Sequence, residues 1–252
     1  MDKLKYTISE ITDESGSKVY SFLLNDAIYK HVEKHGSWEP YFATIVSELL
    51  KEGDECIDLG ANFGYHTITM ANLVGEAGRV YAFEPIRIIF QQLNCNIFLN
   101  GLTNTFSYNL AVGLEIGKTK IPKINFFEEV TNYGDTSIDF SNEGEDIDVT
   151  NIDSYDFKNL KFIKMDVQGS ELPCISGAYQ TIEKHKPVIF LEIEEFRFSK
   201  FGYDVNDLIS TLKNKLEYKI YRIETDYPVD HLCVHKDYIM PEFKSNIRLT
   251  EV

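Results

Sequence analysis

The chain has 252 residues, with 40 acidic side chains against 25 basic ones and a formal net charge of −15. A nucleic-acid reader gains most of its affinity from cations facing phosphates, so this balance argues against a duplex or RNA binder and against an anionic membrane surface. With 43% hydrophobic and 26% charged residues, the composition is neither disordered nor fibrous, and the length suits one α/β domain with an extension.

Residues 4–24 alternate around Ser15-Gly16-Ser17 and predict a hairpin. From Trp38 to Leu50 the apolar spacing (Tyr41, Ile45, Val46, Leu49, Leu50) is helical. Strands are then expected at Glu55–Leu59, Arg79–Glu84, Phe106–Val112, Phe162–Asp166, Val188–Ile193, Tyr218–Ile223 and Leu232–His235. Helices are expected at Tyr65–Leu73, Ile86–Leu99, Leu172–Lys184 and Val205–Leu216. Near-continuous apolar strands such as CIDL, VYAF and VIFLEI belong to parallel strands buried on both faces, and their alternation with helices predicts a doubly wound sheet. Between Gly113 and Phe157 the alternation stops. Strand-like pieces (KIPKINFF, TSIDF, DIDVTNI) separated by turn residues predict a hairpin and loop insertion over the carboxyl edge of the sheet, where ligands of such folds lie.

The chain therefore reads as a single domain: an extension over 1–37, a first half over 38–112, the insertion over 113–157 and the rest of the sheet over 158–252. The cysteines (Cys56, Cys95, Cys174, Cys233) form no C-x-x-C pair, which suits a reducing compartment. The opening MDKLKYTISEITDE lacks a signal-peptide pattern, and no apolar run approaches the ~20 residues of a bilayer span. A cytoplasmic protein with no membrane span is expected.

Three strand-to-helix junctions carry the chemistry. In Asp58-Leu59-Gly60-Ala61-Asn62-Phe63-Gly64-Tyr65-His66-Thr67, the glycines at 60 and 64 permit a tight turn and a close approach of backbone N–H groups to a ligand. Glu84 ends the next strand, where an acid can accept hydrogen bonds from both hydroxyls of a ribose. A dinucleotide fingerprint needs G-x-G-x-x-G, and position 62 is Asn; the G-x-x-x-G spacing with Asp58 before it suits a ligand with an amino-acid end and no diphosphate, such as S-adenosylmethionine (SAM). The third junction, Phe162-Ile163-Lys164-Met165-Asp166-Val167-Gln168-Gly169-Ser170-Glu171, places Asp166 and Gln168 at a strand tip facing the first loop. In PVIFLEIEE, Glu192 and Glu194 share one face of a strand. His231 and His235 lie four apart on a strand, too far for a shared ion, so no metal site is assigned.

These segments, with L-N-C-N-I-F-L-N-G-L and K-P-V-I-F-L-E-I in the same order, resemble the FkbM family of SAM-dependent methyltransferases over about residues 35–195. The resemblance implies the class I methyltransferase fold, a Rossmann-like sheet of seven strands with the last antiparallel, and methyl transfer to oxygen on sugars, polyketides or related metabolites. It implies that Asp58, Gly60, Asn62, Gly64 and Thr67, with Ala61 beside them, surround the methionine portion of SAM. By the same resemblance Glu84 and Pro85 meet the ribose, Leu110 and Ala111 the adenine, and Asp166 and Gln168 the transferred methyl. Glu39, after Trp38, is expected to reach the cofactor from the preceding helix, and Asn132-Tyr133-Gly134 matches a short element of the family's insertion.

An alcohol nucleophile gains from a general base or a metal that lowers its pKa. Asp166 is the first candidate, with Glu192 and His66 behind it, and a divalent cation bridging Asp166 and Glu192 is the metal-assisted variant. The alternative reading is a non-catalytic partner protein that keeps the fold and binds SAM. Finally, residues 124–157 hold ten acids and no Lys or Arg. An acidic lid predicts acceptors that are neutral or amine-bearing rather than phosphorylated.

Overall fold

The computed structural model describes residues 4–13, 16–127, 132–137, 144–225, 229–241, 243 and 247–252. The chain opens with an antiparallel hairpin, β1 (Tyr6–Asp13) and β2 (Gly16–Leu23), followed by α1 (Ala27–His35) and α2 (Pro40–Leu49). Then come β3 (Glu55–Leu59), α3 (Tyr65–Val74), β4 (Arg79–Phe83), α4 (Arg87–Leu99) and β5 (Thr105–Tyr108). A small sheet follows, made of β6 (Ala111–Val112), β7 (Gly117–Ile121) and β8 (Glu145–Thr150). The chain then returns through β9 (Leu160–Met165), α5 (Glu171–Ser176), α6 (Tyr179–His185), β10 (Val188–Glu192), α7 (Glu195–Phe198) and α8 (Val205–Ser210). It ends with β11 (Tyr218–Ile223), β12 (Asp230–His235) and β13 (Leu249–Glu251).

The main sheet has the order β13-β11-β12-β10-β9-β3-β4-β5. The pairs from β10 through β9, β3 and β4 to β5 are all parallel, and β12 is antiparallel to both neighbours. This is the class I methyltransferase arrangement, with one strand beyond the expected seven: β13 adds to the β11 edge. Strand side chains alternate between two cores, as the pleat requires. Ile57, Leu59, Ile163 and Met165 face α5, α6 and α8, whereas Cys56, Val80, Phe162 and Phe190 face α2 and α3. The hairpin and α1 pack Tyr20, Phe22, Ile28 and Val32 against Phe63, Tyr65 and Ile68 at the start of α3. No helix among the described residues is long and apolar enough to cross a membrane.

Three expected elements are interrupted. The strand expected at Phe106–Val112 splits between the two sheets at Asn109, whose Nδ2 donates to the carbonyls of Glu84 and Pro85. The helix expected at Leu172–Lys184 breaks at Gly177, which lies so close to the carbonyl of Gly113 that an added Cβ would sit 2.0 Å from that oxygen. The helix expected at Val205–Leu216 loosens into a π turn over Thr211–Lys215. In the insertion, β7 takes in only the first two residues of KIPKINFF, the rest of which is not strand, β8 takes in the DIDVT of DIDVTNI, and residues 138–140 of TSIDF lie outside the described residues.

Candidate cofactor and acceptor site

β3 runs out at Leu59, and Gly60 turns the chain at φ 73°, with its Cα so close to the sheet that a Cβ would meet the Asp166 carbonyl at 1.9 Å. Only glycine fits that contact. Asn62 follows in the left-handed region, and its N–H donates to Glu84 Oε2 at 2.9 Å; Ile86 N–H donates to Glu84 Oε1 at 2.7 Å. Glu84 thus ties the loops after β3 and β4 together. Burial pushes its pKa up to about 7, against the lowering effect of those two N–H groups. Gly64 caps α3, and an added Cβ there would press on Leu93 at 2.6 Å.

These loops floor a cleft of about 620 Å³. Gly60, Asn62, Glu84 and Pro85 line one side, Leu110 and Ala111 the other, and Asp166 and Gln168 the mouth. The Asn132–Tyr133–Gly134 element crosses this region: Tyr133 and Gly134 line the cleft, and Tyr133 Oη accepts from Asn25 Nδ2 at 2.6 Å. A second space of about 570 Å³ adjoins it, lined by Glu39, Ala61, His66, Lys164, Asp166 and Glu192. The three expected catalytic side chains, Asp166, Glu192 and His66, therefore share one wall. Asp58, Gly64 and Thr67 lie beneath the loop and line neither space; Thr67 Oγ1 donates to Asp58 Oδ2 at 2.5 Å.

Lys164 is the main group that the motif reading leaves without a role. Its ammonium is buried, donates to the Gly60 carbonyl at 3.0 Å and stands 3.5 Å from both Asp58 Oδ1 and Asp166 Oδ2. Burial works against its charge, but Asp58 and Asp166 hold its pKa above the ordinary lysine value. Gln168 Nε2 donates to Asp166 Oδ1 at 2.6 Å and to Glu192 Oε2 at 3.1 Å, bridging the two acids. Burial and the Asp166 charge raise the Glu192 carboxyl far above the carboxylate range. Burial would raise Asp166 too, but Lys164 and hydrogen bonds with Glu192 and Gln168 hold it below that range. The two carboxyl groups therefore titrate as a pair. His66 Nε2 meets Glu39 Oε2 at 2.8 Å, and its ring packs on Phe42.

A larger cleft of about 1260 Å³ opens beyond this wall. Its carboxyl groups are Glu39, Asp135, Glu192, Glu194 and Asp230. Arg197 bonds both Asp135 and Glu194, joining the insertion to α7. Tyr41 Oη donates to Asp230 Oδ2 at 2.5 Å. Of the five non-glycine residues with positive φ among the described residues, three, Glu39, Asn62 and Gln168, line these spaces; strain of this kind gathers where a site is held in a fixed geometry. Among the described residues, no group of three or more His, Cys, Asp or Glu side chains is placed to hold a metal ion.

The model of the methyltransferase FkbM domain matches residues 58–220. The chain belongs to the FkbM methyltransferase family. A crystal structure of an FkbM methyltransferase from Methylobacillus flagellatus superposes with a TM-score of 0.53 at 23% identity, covering 77% of this chain and 48% of that one. A protein-L-isoaspartate O-methyltransferase of Fervidobacterium nodosum is 30% identical over 94 residues, 36% of this chain and 45% of that enzyme. A second such enzyme, from Archaeoglobus fulgidus, is 39% identical over 49 residues, 19% of this chain and 22% of its own length. The chain thus spans less than half the length of each of these relatives.

As an FkbM family member the protein uses SAM, and the residues present fit it. A buried acceptor atom on a residue lining the cleft, Gln168 Oε1, has no hydrogen-bond partner in the structure, and Gly60 keeps the loop clear of any Cβ. SAM carries an ammonium and ribose hydroxyls, the donors such an acceptor lacks.

Proposed function

We propose that this protein, read as one methyltransferase domain, transfers a methyl group from SAM to a hydroxyl of a small-molecule or glycan-linked acceptor such as a sugar or polyketide. Glu84 and Pro85 would hold the ribose, Leu110 and Ala111 the adenine, and Glu39, Gly60, Ala61 and Asn62 the methionine portion, with Asp58, Gly64 and Thr67 supporting that loop from beneath. Bound SAM supplies an electrophilic methyl group. The chain's own contribution is alignment: Asp166, Gln168 and Glu192 form one bonded unit at the junction of the cofactor and acceptor clefts, and holding reactants collinear supplies much of the rate. His66, bonded to Glu39, closes the same wall.

The observation that carries the acceptor assignment is the cluster of carboxyl groups on the larger cleft, where Glu39, Asp135 and Glu194 alone outnumber the one arginine, Arg197, which two of them already engage. Such a wall repels phosphate and carboxylate groups and accepts neutral or amine-bearing molecules. It disfavours RNA, and it disfavours the isoaspartyl carboxylate named for the curated relatives. Lysines and Arg87 pair with several acids of the insertion (Glu145, Asp146, Asp148), so the cleft wall, more than the lid, supports this preference.

Radiolabelled methyl transfer to methyl glucoside, methyl glucosaminide and glucose phosphate tests the reading. Turnover on the first two and at least tenfold lower kcat/KM on the phosphate is expected, together with weakened SAM binding by calorimetry in Glu84→Ala. Preference for the phosphate defeats the acceptor assignment. SAM binding without turnover on any hydroxyl would instead favour a non-catalytic SAM-binding partner.

A further inference from the structure

Each carboxyl group at the acceptor cleft can be asked whether it is free to take a proton from a hydroxyl. Glu39 is bonded to His66. Asp135 and Glu194 are bonded to Arg197. Glu192 and Asp166 are both bonded to Gln168, and Asp166 is further paired with Lys164, which makes it a weak base. Asp230 differs from all of these. It is buried, it lines the cleft, and among the described residues its one hydrogen bond given by a side chain comes from Tyr41 Oη to Oδ2. No cation among the described residues forms an ion pair with it. The antiparallel register sets Asp230 opposite Glu192, so its carboxyl stands one strand away from the Asp166–Gln168–Glu192 unit.

We propose that Asp230, oriented by Tyr41, is the general base that receives the acceptor's hydroxyl proton; this rests on the methyl-transfer reading above. In the step the O–H bond breaks and its proton passes to Asp230 Oδ1. The oxygen's electron pair forms the new bond to the transferred methyl carbon, and the pair of the breaking carbon–sulfur bond stays on the leaving thioether. The proton then leaves to solvent through the open cleft. Neither residue belongs to the strand-tip motifs, and Asp230 lies beyond the stretch matched by the family model. The groups facing Asp230 are Glu39 and Tyr41 at the start of α2, Glu192 on β10, and Asp166 and Lys164 at the end of β9. On the β11 side, Arg222 is paired with Glu224. Burial raises the Asp230 pKa to about 7, and the nearby Glu39 and Asp166 add to that while Tyr41 opposes it. A base with this value is half ionised near neutrality, where general-base catalysis is most effective.

The test uses the full chain, SAM, and methyl glucoside and methyl glucosaminide as acceptors. Wild-type kcat should rise with pH through a limb near 7. Asp230→Asn should lower kcat by about 100-fold or more and abolish that limb, with SAM affinity kept within about twofold by calorimetry. Tyr41→Phe keeps the carboxyl and removes the bond that lowers its pKa, so the limb should move to higher pH. Carbon-13 NMR of the Asp230 carboxyl in the cofactor-free protein should show a titration near 7 that rises in Tyr41→Phe. Wild-type turnover with an unchanged kcat and limb in Asp230→Asn overturns the proposal and leaves the methyl-transfer reading standing. So does a carboxyl that titrates at the ordinary aspartate value. Absence of wild-type turnover on either hydroxyl acceptor overturns the reading and the proposal together.

Discussion

Lys164 decides much of the site at the scale of single residues. One ammonium, buried on β9, answers carboxylates from the ends of two neighbouring strands and also holds the Gly60 carbonyl. Removing one partner of a buried charged set leaves uncompensated charge, which costs about 3–5 kcal/mol. Lys164→Met keeps the volume and should cost stability of that order in urea unfolding; a loss below about 1 kcal/mol would show that Asp58 and Asp166 do not need the ammonium. The sequence did offer a signal here, since one lysine inside the apolar run FIKM is unusual for a strand buried on both faces. Tyr41 and Asp230 offered none. They lie 189 positions apart, and no spacing rule joins a helix start to the first residue of a late strand.

Elements were legible where periodicity alone determines them. The expected bounds of Glu55–Leu59 and Tyr218–Ile223 coincide with β3 and β11, whose runs are rich in apolar, β-branched and aromatic residues. Elements set by a tertiary contact were not. The break between α5 and α6 comes from Gly177 meeting the Gly113 backbone, a contact between distant segments. α1, which the periodicity did not single out, depends on local bonds: Ile28 N–H donates to Asp26 Oδ1 at 2.7 Å, and Gly36 closes the helix at φ 85°. α6 ends less favourably, since Lys186 occupies the left-handed C-cap at φ 48° where glycine carries no Cβ penalty. Lys186→Gly should therefore raise stability by roughly 0.5–1 kcal/mol, the exposed pair with Asp237 counting for little, and leave SAM affinity unchanged. A lower unfolding midpoint in the variant would show that the lysine's ion pair outweighs the strain.

For the whole molecule, the acidity has a consequence for stability. Burial raises Asp26 to about 6, and Glu84, Glu171 and Asp230 to about 7. The folded chain thus keeps protons that the unfolded chain has already released at the ordinary carboxylate value. Their contribution is fully present below that value and is lost as pH rises through 6 to 7. Exposed acids paired with lysines, such as Asp146 and Asp237, shift the other way, but solvent screens them. His31, His185, His231 and His235, which burial lowers, oppose the trend only below the ordinary histidine value of 6.5. The urea midpoint of the cofactor-free protein should fall between about pH 5 and pH 8; a flat or rising midpoint contradicts this account. The strand order also bears on how the chain is made. β11 precedes β12 in sequence but lies outside it, so β12 closes the sheet by pairing with β11 on one side and β10 on the other. On a ribosome the loops around Gly60 and Glu84 emerge long before that closing strand, which brings Asp230 with it at its first residue. The methyl-donor half of the site can thus form early in synthesis, while the acceptor wall is completed only when β12 follows, well after both loops in the chain.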